Sequence, residues 1–343
     1  MTNSTTQTLM GSPASPYTRK MTALLRYRHI PYRLLLTEAD ALKTLPKPKV
    51  ALLPTFFFES ENGDVEAAVD STPIIRRLEG VHQGRSVIPK NPVLAFLDFL
   101  MEDFADEWLT KAMFHYRWYY QADIKKAATT LPHWRNLKPA SDEDLAKMSK
   151  KFGDHQISRL YVVGSNDTTA SVIEQSYHRY ITALNTHLEK QTFLFGMRPS
   201  AADFAAYGQL TQLAKFDPTP AEVTEKIAPR VFAWVDLMDD LSGVDAREED
   251  WIDAAAIPDS LVAILKEVGR VYTPVMLANA KALMAGADTV ETEVEGKPWV
   301  QQPFPYQGKC LLWLRERYHA LNEADRQQVS LILEGTGCEP LIA

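Results

Sequence analysis

Three short stretches in the first eighty residues set polar groups where a small ligand can be held. Ser15-Pro16 opens an amphipathic run, PYTRKMTALLRYR, in which Met21, Leu24, Leu25 and Arg28 share one helical face. Proline fits the first helical position, where its missing N–H costs nothing, so Ser15 is the expected N-cap. Two chemistries stay open for that hydroxyl. It can simply accept a backbone N–H, worth about 1 kcal/mol. It can also donate into the electropositive end of the helix, where a thiolate or phosphate is stabilised by aligned N–H groups. Leu53-Pro54 interrupts the strand-like LLPTFFF. A proline there either demotes the run to a sheet edge or takes the cis form, leaving Leu53 to offer its N–H and C=O to an extended peptide. Asp70-Ser71 stands at the start of another helix. A carboxylate followed by a hydroxyl can bind an α-amino group with one and an α-carboxylate with the other, or serve only as a cap.

The elements carrying these residues alternate in period. A short strand at TLM, the helix after Ser15, a strand over Tyr32 to Leu36, two β runs around ENGD and a helix over Thr72 to Leu78 give β-α-β-(α)-β-β-α. Asn62-Gly63 is a two-residue hairpin signal. The polar, proline-containing VHQGRSVIPKNP reads as a linker, which divides the chain into 1–82, a linker 83–92, and 93–343. Helical periods cover 93–122, 169–190, 201–214, 220–241, 259–285, 306–321 and 323–334, with an insertion near 125–166, an extension from about 246 and a possible hairpin in TVETEVEGKPWVQ.

Bulk properties narrow the function further. A chain of 343 residues, 45% hydrophobic, can bury a large core and suits two domains. Its net charge of −7 argues against nucleic acid or an anionic membrane as main partner. Residues 1–82 hold 10 Lys and Arg against 8 Asp and Glu, and the remainder 27 against 36. The mildly basic first part suits a small anionic ligand. No apolar run approaches the roughly 20 residues of a membrane helix, and the polar start MTNSTTQT lacks the layout of a signal peptide, so a cytoplasmic protein is expected. Cys310 and Cys338 are expected buried and reduced, without metal-ligand spacing. Phosphate loops, nucleophile elbows and metalloprotease motifs are missing from the sequence. The acidic runs EDFADEW and REEDW read as solvated helix faces.

GSPASPYTRKM, Leu53-Pro54 and Asp70-Ser71 together resemble the active-site turn, cis-proline and γ-glutamyl-binding pair of the glutathione S-transferase superfamily. FLFGMRPSAADFAAYGQL resembles that family's C-terminal signature, with Ser200 and Asp203 as a capping box before a buried helix. The resemblance runs over roughly residues 8 to 240, with gaps. It implies an α/β thioredoxin-like domain followed by an enlarged all-helical domain, glutathione as co-substrate and no metal. It assigns Ser15 as the residue that activates the thiol, with Ser12 as a fallback, and Leu53, Pro54, Asp70 and Ser71 as further glutathione contacts. No cysteine stands in the first domain, which disfavours thiol exchange. The aromatic helix DEWLTKAMFHYRWYY places Trp108, Met113, His115, Tyr116, Arg117 and Tyr119 near the family's pocket for a small, apolar electrophile. Aromatics at this spacing are equally core residues, and His115 and Arg117, two apart, cannot both face a ligand. The expected reaction is attack of the thiolate on that electrophile in a homodimeric enzyme. A glutathione-dependent isomerase or lyase, or a non-catalytic scaffold of the same fold, are the alternatives.

Overall fold

The computed structural model describes residues 6–343. The polar stretch at residues 1–5, on which the signal-peptide expectation partly rests, lies outside them. Strand β1 (Gln7–Gly11) alternates buried and half-buried residues. The chain then forms helix α1 (Pro16–Tyr27), the kind of crossover a parallel pair requires, and returns as β2 (Tyr32–Leu36), pairing Leu9 with Leu34. A 3₁₀ turn at Asp40–Thr44 leads to β3 (Thr55–Glu59), antiparallel to β1, and on to β4 (Val65–Ala68). The strand order is β2-β1-β3-β4, and α2 (Ser71–Val81) follows. The turn between β3 and β4 is longer than the two-residue hairpin expected at Asn62-Gly63. Pairing ends at Glu59 and Val65, the Ser60 N–H closes on the Asp64 carbonyl at 2.8 Å, and Gly63 takes the left-handed conformation at φ +81°.

The second part begins with α3 (Pro92–Phe104), which widens into a π-helical turn at Ala105–Leu109 and continues as α4 (Thr110–Tyr119). The long segment expected over 93–122 breaks at Tyr120, whose extended backbone starts α5 (Gln121–Thr130). Then come α6 (Asp142–Ile157) in the insertion, α7 (Ala170–His187), α8 (Ala201–Leu210), α9 (Pro218–Ile227) and α10 (Pro229–Met238). The extension adds α11 (Asp259–Glu267), α12 (Thr273–Ala285), the antiparallel pair β5 (Val290–Val294) and β6 (Lys297–Gln301), α13 (Pro305–Ala320) and α14 (Glu323–Leu333). One hairpin therefore sits in an otherwise helical domain. Helix α8 is buried along its whole length. The Ser200 N–H donates to Asp203 Oδ2 at 2.9 Å, and Asp203 Oδ1 accepts the Leu194 N–H at 2.9 Å. A Cβ at Gly208 would lie 2.6 Å from the Pro16 carbonyl oxygen, so glycine is what lets α8 approach the first turn of α1.

One apolar core runs through both parts, joining Leu9, Met21, Leu24 and Phe56 to Leu97, Phe204 and Tyr207. Beside it lies a buried ionic cluster. Glu102, Asp103, Asp106 and Glu107 of EDFADEW are all buried, which corrects the reading of that run as a solvated face. Helical phase does not separate these acids from water, because Glu102 and Asp103 precede the π turn in α3, which is buried on every side from Phe96 to Phe104, and Asp106 and Glu107 continue the same buried segment. Lys20, fully buried on α1, donates to Glu102 Oε1 at 2.8 Å and Asp106 Oδ2 at 2.6 Å, and Arg76 reaches Glu102 Oε2 at 2.6 Å. Burial alone would raise the Glu102 carboxyl, but Arg76 and Lys20 hold it down at about 2. At the other carboxyls burial outweighs the neighbouring cations, Lys20 beside Asp106 and Arg76 near Asp98 included. Burial lifts Asp98 and Asp103 to about 7, and burial with acidic neighbours also raises Asp106 and Glu107.

A carboxyl that titrates higher in the folded than in the unfolded chain keeps a proton that unfolding releases, so it stabilises the fold below about pH 4 and loses that contribution as pH rises towards 7. Glu102 has the opposite sign and matters only on the acid side. The thermal unfolding midpoint should therefore fall by several degrees between pH 5 and pH 8. Asp103→Asn, which removes one titrating proton and keeps an acceptor for the Tyr272 hydroxyl, should flatten that slope. Calorimetry across this range checks both; a midpoint that rises with pH, or an unchanged slope in the variant, would contradict the assignment.

Candidate functional site

Ser15 has the extended backbone of an N-cap, φ −90° and ψ 120°. Its Oγ accepts the Thr18 N–H at 3.2 Å, and its hydroxyl donates to the Leu53 carbonyl at 3.4 Å. The Leu53–Pro54 peptide is cis. The second bond is long for an O–H donor, so the hydroxyl can re-aim towards a stronger acceptor at little cost. A carbonyl oxygen has two lone pairs, and Leu53 can still accept from another donor. Ser12, the fallback, is buried and engaged: its Oγ accepts the Ala14 N–H at 3.2 Å and its hydroxyl donates to the Trp134 carbonyl at 3.4 Å.

Asp70 caps α2 with φ at +80°, a conformation that Asp and Asn tolerate better than most residues. Its Oδ1 accepts the Thr72 N–H at 3.3 Å, and its Oδ2 accepts the hydroxyl of Tyr306, 236 residues further on, at 2.6 Å. Burial raises the Asp70 carboxyl, while the Tyr306 hydrogen bond and the nearby Lys20 charge act against that rise. Ser71 Oγ accepts from Lys20 Nζ at 3.0 Å. Helix α1 ties the three stretches together: Ser15 at its cap bonds to Leu53, and Lys20 in its second turn bonds to Ser71.

The aromatic helix behaves differently from the expectation of a substrate pocket. Trp108 is buried, donates Nε1–H to Ser176 Oγ at 2.9 Å and packs 5.3 Å from the Trp299 ring. His115 is fully buried between Ser165 Oγ, at 2.8 Å, and Glu174, at 3.1 Å; Tyr116 reaches His178 at 3.2 Å; and Met113 is core. Tyr119 is 36% exposed and donates to Asp167 at 2.9 Å. These residues face α7 and the C-terminal hairpin, and their polar groups are satisfied by protein. Among these six residues, Arg117 is the one that reaches the turn before α1. Its guanidinium pairs with Asp217 at 2.9 Å, accepts no role as a free cation, and reaches the Ala14 carbonyl at 3.5 Å.

The apolar surface next to Ala14 is built from residues the sequence did not single out. Phe114, Trp118, Trp134 and Phe216 form a small cluster with Ala14, with Trp134 and Phe216 ring centroids 5.2 Å apart. Phe114 and Trp118 interleave with the expected residues on the opposite face of α4, so helical phase could have identified them. Trp134 belongs to the insertion, which docks here: the Arg135 carbonyl accepts the Glu38 N–H at 3.1 Å, Arg135 Nε meets Glu38 at 2.9 Å, and Asn136 also donates to Glu38. Lys20 and Tyr306 gave no signal at all, because only the folded chain brings them to Asp70 and Ser71. Both cysteines are free and buried. Among the described residues no group of three His, Cys, Asp or Glu is placed to hold a metal, and no helix is long and apolar enough to cross a membrane.

Residues 9–86 match the family model of the glutathione S-transferase N-terminal domain, and residues 140–237 that of the glutathione S-transferase C-terminal domain. Residues 87–139 and those after 237 lie outside both. Similar solved structures include a GST-like protein from Pseudomonas syringae, at 16% identity and TM-score 0.42, covering 68% of this chain and 66% of that one. The Beta-etherase LigF from Sphingobium sp. strain SYK-6 has 18% identity, TM-score 0.46 and coverage of 68% and 95%. A glutathione transferase family member from Pseudomonas fluorescens Pf-5, solved with two glutathione bound, has 12% identity, TM-score 0.41 and coverage of 70% and 95%. No curated protein matches the sequence significantly. With one family model on the small mixed sheet and its helices, a second on the helical domain, and the two together spanning just over half of the chain, this protein belongs to the glutathione S-transferase superfamily.

Proposed function

We propose that the protein is a glutathione transferase that uses Ser15 to hold the thiolate. The observation that carries this reading is that α1 bonds at its Ser15 cap to the Leu53 carbonyl of the cis Leu53–Pro54 peptide and, through Lys20, to Ser71 of the Asp70–Ser71 pair. Glutathione would lie extended across the small domain, its cysteine backbone against Leu53 and its γ-glutamyl end at Asp70 and Ser71. The sulfur would face the start of α1, where the helix dipole and the Ser15 hydroxyl favour the charged form. Attack on an electrophile held against Ala14, Phe114, Trp134 and Phe216 forms the carbon–sulfur bond. Reversible use of the same thiolate would make the enzyme an isomerase or lyase. A two-fold dimer, a cytoplasmic location and a small apolar second substrate belong to the same reading.

Ser15→Ala removes one hydrogen bond to a charged sulfur, roughly 1.5–3 kcal/mol, so conjugation of a generic aromatic electrophile should slow about ten- to a hundredfold. Stability should drop by only about 1 kcal/mol through the lost cap. The thiol pKa of bound glutathione, followed by thiolate absorbance, should rise in Ser15→Ala and stay put in Ser12→Ala. The reverse pattern would move the role to Ser12, and no effect from either would leave Ser15 as a cap alone.

The other end of the site is tested by Asp70→Asn, which keeps the cap and suits the positive φ while removing the charge. Glutathione affinity measured by calorimetry should weaken by roughly 1.5–3 kcal/mol, about ten- to a hundredfold, with the melting temperature nearly unchanged. A fall in melting temperature at constant affinity would reduce Asp70 to a structural cap.

A further inference from the structure

The extension from about residue 246 does more than enlarge the helical domain, because it places a side chain in the ligand site. Asn279 of α12 is fully buried and clamps Phe304 from both sides, accepting its N–H at 2.7 Å and donating to its carbonyl at 3.0 Å. That clamp fixes where α13 begins. Tyr306, in the first turn of α13, rests edge-on against Trp313 with ring centroids 6.2 Å apart and puts its hydroxyl 2.6 Å from Asp70 Oδ2. We propose that Tyr306 is a positioning residue of the glutathione site, which with Lys20 sets Asp70 as an acceptor and Ser71 as a donor towards the amino-acid end of the ligand. The proposal deepens, and rests on, the reading of this face as a glutathione site.

Hydrogen-bond inventory supplies the argument. An ammonium has donors only, so Ser71 Oγ must accept from Lys20, and its own hydrogen is left to donate, as a ligand carboxylate requires. A carboxylate has about four acceptor positions. Asp70 spends one on the Thr72 N–H and one on Tyr306, on different oxygens, which leaves room for an ammonium while preventing the group from swinging onto Lys20. The charged and titratable groups facing Asp70 are Lys20 from α1, Glu102 from α3, Asp106 from the π turn, and Tyr306 and Cys310 from α13. Burial raises the Asp70 carboxyl and Glu102 adds to that, whereas the Tyr306 bond and Lys20 lower it. The Tyr306 phenol, pushed far up by burial and by Asp70 itself, stays protonated and can only donate here.

Tyr306→Phe keeps the ring and removes the donor. Two measurements are made on the full chain: the Asp70 carboxyl pKa by ¹³C NMR, and affinities for glutathione and for glutathione acetylated on its α-amino group. The proposal expects the Asp70 pKa to rise in the variant, glutathione to bind about tenfold more weakly, the acid limb of its binding profile to move to higher pH, and the acetylated compound, which lacks the ammonium, to bind both proteins alike. An unchanged Asp70 pKa, equal weakening of both ligands, or tighter glutathione binding in the variant would overturn it; the last would make Tyr306 a competitor for the subsite. Should wild-type protein bind no glutathione, the functional reading falls separately, and the Asp70 pKa alone decides whether Tyr306 positions the carboxylate.

Discussion

The architecture depends on one buried ammonium. Lys20 Nζ has three N–H donors and finds three acceptors, Ser71 Oγ, Glu102 Oε1 and Asp106 Oδ2, at 3.0, 2.8 and 2.6 Å. Moving an ammonium out of water costs several kcal/mol even after relaxation, and only complete pairing offsets that cost. The pairing involves three elements: α1, which carries Ser15; the start of α2, which carries the Asp70–Ser71 pair; and the end of α3 with its π turn. An error in their relative placement would leave a buried charge unpaired. The interaction is therefore weak evidence for stability and strong evidence for geometry, since it ties the helical domain to α1 and to the start of α2.

The departures from a plain two-domain arrangement converge on the same place. The insertion presents Trp134 to Ser12 and ties Arg135 and Asn136 to Glu38. The π turn before α9 supplies Phe216, over which Arg117 lies while pairing with buried Asp217. The extension supplies Tyr306. The insertion contacts the loop after β2 through Glu38, and the extension contacts the α2 cap through Asp70 while packing into the shared apolar core, so neither alters the pairing of the strands.

Much of the small domain was legible because its signals are local. A proline at the first helical position, an X-Pro inside a strand-like run and an acidic N-cap each depend on a few adjacent residues, and the structure places Ser15, Leu53–Pro54 and Asp70–Ser71 as caps and a cis peptide accordingly. The hairpin at 290–301 and the Ser200–Asp203 box were readable for the same reason. What failed was the assumption of a solvent face. From Phe96 to Trp118 the helical segment is buried almost all round, so the acidic positions read as exposed are inside, and the aromatic positions assigned to a pocket, Trp108, His115 and Tyr116, lie in the core. Nothing in the sequence at residue 20 announces that the partners of Lys20 lie at 71, 102 and 106.

Those buried acids explain why the extension cannot be an appendage. Asp103 receives the Tyr272 hydroxyl, and Asp70 receives that of Tyr306, so donors from the extension cover carboxyls of both domains. Carboxyls raised towards 7 or beyond are protonated at mildly acid pH and tolerate an apolar cover, whereas ionised they demand water or a cation. Without the extension Asp103 would lose the Tyr272 hydroxyl and Asp70 that of Tyr306, leaving each buried carboxyl short of a donor. The cover and the site are thus coupled through charge: the segment that keeps these acids dry is also the one that delivers Tyr306 to Asp70.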